Sequence, residues 1–466
     1  MHAPHAPAGH DAGRPGLVPV AHHLAHVLSR TGLVRELEVD VLDAPGRRLA
    51  RDVSAAIAVP PWDNSAMDGY AVHHADVADA SPEHPVTLRI VADLPAGSAL
   101  DPALGPGEAA RIMTGAPLPS ASDAVVQLEH TDRTDPVAPL ADTVTVLRAP
   151  TPGMHVRRAG EDRRPGDLLV PAGTLVTGPV LAALVSAGVT RVWLRERPRV
   201  TVISTGDELA APGAPLRRGA IPDSNSLLLA QLVREAGGEL QGVRRVRDDA
   251  AEVRARVLGA TAQCGARPHV ILLTGGVSQG AFDPVKQAFA GSDRVRFVSV
   301  AMQPGKPQAF GRFGEPPDHG LGDPAGPERD GALVFGLPGN PVSAWVSFHV
   351  FVRPALLTMA GAPDHVVTPP RLRAVVETGW RTPGGRDQYL PARIRPAGPG
   401  DPGEAGGLLV SPAAALGSRS NLVASLALAN GYAIVPTADQ AARGGAPVAP
   451  GDVVDVVLTS LEPARA

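Results

Sequence analysis

Cysteine and lysine are almost absent from this chain of 466 residues: Cys264 is the single cysteine, and Lys286 and Lys306 are the only lysines among its 43 basic residues. A lone cysteine excludes an internal disulfide framework and any cluster in which several cysteines ligate a metal. Aromatic side chains make up 3% of the residues, too few for the stacking platforms that hold single-stranded nucleic acid. Charge of one sign is lacking too. A formal net charge of −4 and a pI near 6.4 leave no electrostatic footprint for nucleic acid or an anionic membrane.

The opening stretch MHAPHAPAGHDAGRPG lacks the charged onset and apolar core of a secretory signal, and no later run reads as long as a bilayer span. These absences predict a soluble cytoplasmic protein with neither a nucleic-acid nor a membrane partner. His2, His5 and His10 fit a solvated low-complexity leader over residues 1–16.

What is plentiful is glycine and proline, 51 and 49 residues, within a chain too long for one core, so several domains joined by many turns are expected. Residues 17–58 read as helix, with Val20, Leu24, Val27 and Leu28 at helical spacing. Residues 59–151 hold short apolar runs broken by Pro, Gly and Asp, a β-rich unit. Residues 152–196 contain the helical GPVLAALVSAG, expected to pack on the first helix and complete one domain from two segments. From 197 to 364 strand and helix alternate, which predicts a mainly parallel sheet covered on both faces. Within that stretch, residues 314–331 are too rich in Gly and Pro for a core and read as a surface insertion. Residues 365–466 read as a C-terminal β-domain.

In an open parallel sheet, ligands bind at the carboxyl ends of the strands. STGDEL places Asp207 and Glu208 there after one strand; TGGVSQGAFD follows another, with Gly275 and Gly276 letting backbone N–H groups approach a phosphate and Asp283 facing a cation. GLPGNPVSA follows a third, with Asn340 as cap and Pro341 at the first helical position, a helix start suited to an oxyanion. MQPGKPQAF supplies Lys306, and Lys286 follows Asp283, so both lysines fall in or beside these loops. Carboxylates, basic groups and glycine turns together suit Mg²⁺-assisted phosphate chemistry. In the β-rich unit, Asp63, Asn64, Ser65 and Asp68 read equally as a ligand loop or as an Asx-turn cluster.

In order along the chain, DNSAMDGYA, RIMTGAP, RAGED, STGDEL, DSN, TGGVSQGAFD, PGKP and GLPGNPVSA resemble the molybdopterin molybdenumtransferases, the MoeA family and gephyrin E domain. The resemblance covers roughly residues 17–460. It implies a multidomain α/β protein: a segmented linker domain (17–58 and 152–196), a β-rich second domain (59–151), an αβα molybdopterin-binding domain (197–364) and a C-terminal β-barrel (365–466). It also implies a homodimer with the site shared between subunits, and Mg²⁺-dependent insertion of molybdenum from molybdate into adenylylated molybdopterin, with AMP released. By the resemblance, Glu208, Asp248 and Asp283 take the metal and pyrophosphate positions, and Asp63, Thr114, Asp162 and Lys306 are further catalytic positions. Gly275, Gly276, Ser278, Lys286, Pro338, Pro341, Ser343, Arg386 and Ser418 take the substrate and oxyanion positions.

Gln303 departs from the family's usual lysine in KPGKP, removing one positive charge that Arg386 could replace. Two rivals share parts of the pattern. A molybdopterin adenylyltransferase, also a natural partner, resembles only the central domain, and a non-catalytic gephyrin-like scaffold would not need the acidic positions.

Overall fold

The structure, a computed structural model, describes residues 16–135, 137–263, 269–276, 283–313, 331–401, 406–414 and 420–460. The chain divides into two compact units, Glu38–Leu194 and a larger one formed by the flanking segments Met1–Leu37 and Arg195–Ala466.

Helix α1, Val20–Ser29, belongs to the larger unit. Val20 and Val27 lie seven residues apart on one face and are buried with Phe351, Ala355 and Met359. The helix stops early: Thr31 Oγ1 donates to Val27 O at 2.8 Å, and Gly32 follows. The sequence reading of one long helix to residue 58 is therefore corrected, since Glu36–Asp40 is a strand. Its expected packing is corrected too, because the helix at residues 178–186 buries Leu184 in a different core.

The smaller unit carries a five-stranded sheet. Its strands are β1 (Gly69–Val72), β2 (Val86–Leu94), β3 (Glu108–Ile112), β4 (Ala124–Gln127) and β5 (Thr143–Val146), in the order β4-β1-β3-β2-β5. Beside it, α2 (Gly178–Ser186) packs Leu184 with Val41, Leu49, Val170 and Val192, so residues on either side of the β-rich stretch do share a core.

In the larger unit a six-stranded sheet is built from β6 (Arg199–Thr205), β7 (Glu239–Val246), β8 (His269–Thr274), β9 (Val295–Ser299), β11 (Pro307–Phe313) and β12 (Ala332–Leu337); the two-residue β10 (Met302–Gln303) intervenes in sequence. The order is β7-β6-β8-β12-β11-β9: β7, β6, β8 and β12 run parallel, and β11 and β9 join antiparallel. Alternate residues serve opposite faces. Val270 and Leu272 join the core that receives α1 and α3 (Ser224–Glu235), while Ile271 and Leu273 join the core under α4 (Ala250–Gln263) and α5 (Pro284–Ala288). Burial on both faces explains why HVILLT is an unbroken apolar run rather than an alternating one.

After β12 the chain runs through α6 (Pro341–Ser347), a π-helical turn at Phe348–Val352, and α7 (Arg353–Met359). An 18-residue window of this 19-residue stretch has a mean hydropathy of 1.3, long and apolar enough by length and composition to cross a membrane. That corrects the sequence reading, which saw no such run; 83% of that window is buried inside the protein, against the sheet and against Tyr389 and Tyr432. A helix covered on all sides is apolar on all sides. The C-terminal strands β13 (Leu372–Val376), β14 (Asp387–Pro396), β15 (Leu408–Pro412), β16 (Gly431–Val435) and β17 (Val453–Leu458) pair as β14-β15-β13-β17-β16, and β16 pairs back onto β14 to close a five-stranded barrel. The barrel and the mixed α/β architecture agree with the expected fold class.

Two buried histidines make the larger unit acid-sensitive. His23 stands edge-on to Phe351 at 4.8 Å, and His269 shares a 3.1 Å hydrogen bond with Thr201 Oγ1. Burial, the larger cause, and positive neighbours (His26 and Arg199) lower both from 6.5 to about 4. The unfolded chain then binds more protons than the native one between those values, so stability is complete above pH 6.5 and falls as the pH drops towards 4. Each histidine is expected to cost roughly 2 kcal/mol between pH 7.5 and pH 5. Chemical denaturation at the two pH values checks this: His23→Leu should lose less than wild type, and equal midpoints in wild type would refute it.

Candidate functional site

At the carboxyl ends of β6, β8 and β12 three backbones come unusually close. Ser204 pairs with Thr274, and Thr274 with Leu337, so the loops that follow begin at one level. Gly275 has φ +91, and a Cβ there would stand 2.5 Å from Thr205 O; one on Gly339 would be 3.3 Å from Gly275 Cα. Only glycine permits both the left-handed turn and this approach. Asn225, in the first turn of α3, ties the loops together, its Nδ2 donating to Thr274 Oγ1 at 3.0 Å and to Gly339 O at 2.6 Å. α3 is itself anchored by Asp223, 5% exposed, which accepts from the Ser226 N–H at 3.1 Å and from Ser204 Oγ at 2.7 Å. DSN thus holds up the crevice from below, a role for Asn225 that its sequence context did not single out.

The three expected acidic residues stand on different loops. Glu208 and Asp248 are exposed, on the loops after β6 and β7, and the Asp207 N–H points at Asp248 Oδ2 at 3.4 Å. Asp283 is buried, 5% exposed, and caps α5: its Oδ1 accepts the Lys286 N–H at 3.2 Å, with Pro284 at the first helical position. Among the described residues no three His, Cys, Asp or Glu side chains gather as a metal-binding set. Local capping engages one oxygen of Asp283 with its own helix, and Glu208 and Asp248 are the more exposed of the three carboxylates. The Lys286 side chain is exposed, and Ser278 and Ser418 lie outside the described residues.

A further group of the expected residues is basic. Lys306 lies in the turn between β10 and β11, and β10 pairs in parallel with the start of β14, Met302 with Asp387 and Gln303 with Gln388. The Asp387 N–H donates to Ala301 O at 2.9 Å, which sets Arg386 beside the Lys306 loop. Neither Lys306 nor Arg386 has an ion-pair partner among the described residues. Pro338 and Gly339 lead into α6, where Pro341 occupies the first helical position and Ser343 is 4% exposed. Asn340 is the N-cap residue, as expected, but its side chain makes no cap bond. Instead its Nδ2 donates to Ser420 Oγ at 3.0 Å, and the Val342 N–H donates to Ser420 O at 3.2 Å. Ser420, two positions beyond the expected Ser418, is thus the described barrel serine that meets this helix start. SRSNL holds two serines, and no periodic signal in it could have chosen between them.

In the smaller unit the expected residues form a second, separate constellation. Asp63 accepts from the Ala159 N–H at 2.7 Å and from Arg158 at 2.6 Å, and these, the backbone bond first, hold its carboxyl below the usual range. Asp68 Oδ1 accepts both the N–H and the Oγ1 of Thr114, at 2.7 and 2.8 Å. DNSAMDGY therefore reaches both RAGED and RIMTG through Asp63 and Asp68. Asp162 is exposed, 3.2 Å from Arg163.

Comparison with known proteins covers nearly the same span. Residues 18–188 match the description "MoeA N-terminal region (domain I and II)", residues 201–358 "Probable molybdopterin binding domain", and residues 373–459 "MoeA C-terminal region (domain IV)". Molybdopterin molybdenumtransferase 2 of Mycobacterium tuberculosis is 40% identical over 376 residues, covering 79% of this chain and 86% of that one. The molybdopterin molybdenumtransferase of a Nostoc species is 38% identical over 69% of each. The crystal structure of the molybdopterin biosynthesis protein moeA from Pyrococcus horikoshii OT3 superposes with a TM-score of 0.73 at 26% identity, covering 95% of this chain and all of that one.

Proposed function

Because this chain belongs to the molybdopterin molybdenumtransferase family, transferases of molybdenum cofactor biosynthesis, we propose that its own reaction starts from molybdate and adenylylated molybdopterin. Molybdenum passes to the dithiolene sulfurs, the displaced molybdate oxygen leaving with the thiol protons as water, and water adds across the phosphoanhydride to release AMP. The observation that carries this reading is the basic pair formed where the Lys306 loop lies beside Arg386, with no carboxylate paired to either cation among the described residues. A tetrahedral dianion is what such unpaired donors select.

The glycine-lined part, Gly275 and Gly276, takes the pterin and its phosphates, with backbone close enough to hydrogen-bond them. Magnesium dependence belongs to the same reading. Mg²⁺ habitually binds one or two carboxylates together with substrate phosphates, so Glu208 and Asp248 would hold it, and it would neutralise the phosphate charge. Ligand sulfur comes with the pterin, which agrees with a chain holding one cysteine. In this reading the protein acts in the cytoplasm as a homodimer, with Asp63, Thr114 and Asp162 of one subunit serving the crevice of the other. An adenylyltransferase delivers the substrate.

AMP release from adenylylated molybdopterin, titrated with molybdate and separately with tungstate, tests the proposal. Saturable release with either oxyanion supports it; no release by the magnesium-loaded protein would overturn it. In the same assay Gln303→Lys should lower the half-saturating molybdate concentration by roughly threefold to tenfold, the effect of one added charge-assisted contact. An unchanged value would mean that Arg386 already supplies that charge.

A further inference from the structure

With glutamine at position 303, Lys306 is the one lysine that its loop offers, and the placing of a single ammonium matters more than the placing of one of two. What sets that placing lies beneath the loop. Gln308 is 3% exposed, and its Nε2 donates to Gly305 O at 2.7 Å and to Ser347 Oγ at 2.7 Å. Ser347 is wholly buried on α6. Gly305 has φ +101, and a Cβ there would stand 2.9 Å from Ser347 Oγ, so the turn sits directly on this pair. On the other side the Lys306 C=O accepts the Val300 N–H at 2.7 Å. The backbone is therefore held at the carbonyl before Lys306 and at its own carbonyl.

Packing alone does not call for an amide here, since an unbranched hydrocarbon chain of the same length would fill the space. What the amide adds is direction: a buried donor with two acceptors permits one geometry, because any other leaves a polar group unpaired.

Resting on the molybdate-transfer reading above, we propose that Gln308, braced by Ser347, is a positioning residue for oxyanion binding, fixing the Gly305–Lys306 turn so that the Lys306 ammonium meets the dianion. Gln308 touches no substrate; it acts through Lys306.

The test is a double-mutant cycle on the full-length magnesium-loaded protein: Gln308→Met, Lys306→Ala and both together, with AMP release followed against molybdate concentration. Retention of adenylylated molybdopterin without molybdate and the melting temperature are measured alongside. Gln308→Met, nearly isosteric, should raise the half-saturating molybdate concentration roughly tenfold, the scale of one charge-assisted contact. It should leave the saturating rate within about twofold and pterin retention unaltered, and should add less than about twofold when Lys306 is already alanine. A merely structural role would give the same penalty in both backgrounds, or a fall in the saturating rate at constant half-saturation, and either result would overturn the inference. Should Gln308→Met not fold, Ser347→Ala, which deletes one oxygen, must show the same pattern at a few-fold, and its failure to do so counts equally against the proposal. A wild-type protein that releases no AMP removes the molybdate reading and this inference together; turnover in wild type with an unmoved half-saturation in Gln308→Met removes this inference alone.

Discussion

Lys306→Ala is expected to lower kcat/KM for molybdate about a hundredfold or more, while adenylylated molybdopterin is still retained. The cation lies in a partly buried turn with no carboxylate partner among the described residues, so its charge is available for a ligand rather than spent within the protein. Removing one preorganised charged donor from an oxyanion site typically costs two to three orders of magnitude, about 2.7 to 4 kcal/mol. Arg386 cannot restore the loss in full, because its guanidinium is carried on the bend before β14 and not on the turn held by Gln308. Lys306→Arg, which keeps the charge but changes its reach and shape, should fall between. Steady-state AMP release against molybdate concentration, with pterin retention measured by equilibrium dialysis, checks both halves. A loss of pterin retention equal to the loss of turnover would mean that Lys306 serves the pterin instead.

Gly275→Ala is expected to destabilise the larger unit by about 3 kcal/mol or more and to abolish pterin retention, through one added carbon. The new Cβ would stand 2.5 Å from Thr205 O and 2.9 Å from Thr205 Oγ1, inside contact distance with backbone that belongs to the middle of the sheet. Neither neighbour can yield cheaply. Thr205 is the last residue of β6, paired on one side with β7, and 4% exposed. The left-handed φ adds its own cost for any residue with a side chain. Gly384→Ala is a matched control: it too has positive φ, +66, but nothing lies within 4 Å of the Cβ position. It should lose only the conformational part, about 1 kcal/mol. Denaturation midpoints separate the two, and equal losses would show that the close approach to Thr205 does not matter.

Much of the central domain was legible because its strands obey a rule that is local in sequence. HVILLT and ALVFGL are apolar runs with little alternation, as strands buried on both faces must be, and they are closed by glycine and by Pro-Gly. The helix at residues 224–235 was equally plain from Leu229, Leu232, Val233 and Ala236. Harder to read were segments whose partner lies far off in the chain. Nothing within residues 17–58 says that α1 buries Val20 and Val27 against Phe351. Nor does the apolar run from Pro341 to Met359 reveal by itself whether lipid, sheet or barrel surrounds it.

The site divides along the same line. Chemistry by residue type was readable from the chain: two rare lysines, glycine pairs after strands, and acidic loops beside them. Which of these groups meet, and which are diverted, was decided by tertiary structure. Asp283 is turned into the cap of its own helix, Asn340 is drawn to Ser420, Asn225 stitches two loops together, and Gln308 seats the turn that carries Lys306. Secondary structure follows from short-range periodicity, which any stretch of chain displays on its own. A hydrogen-bond partner is chosen by direction and distance among groups far apart in the chain, 114 residues for Asn225 and Gly339, and that choice exists only once the chain has folded.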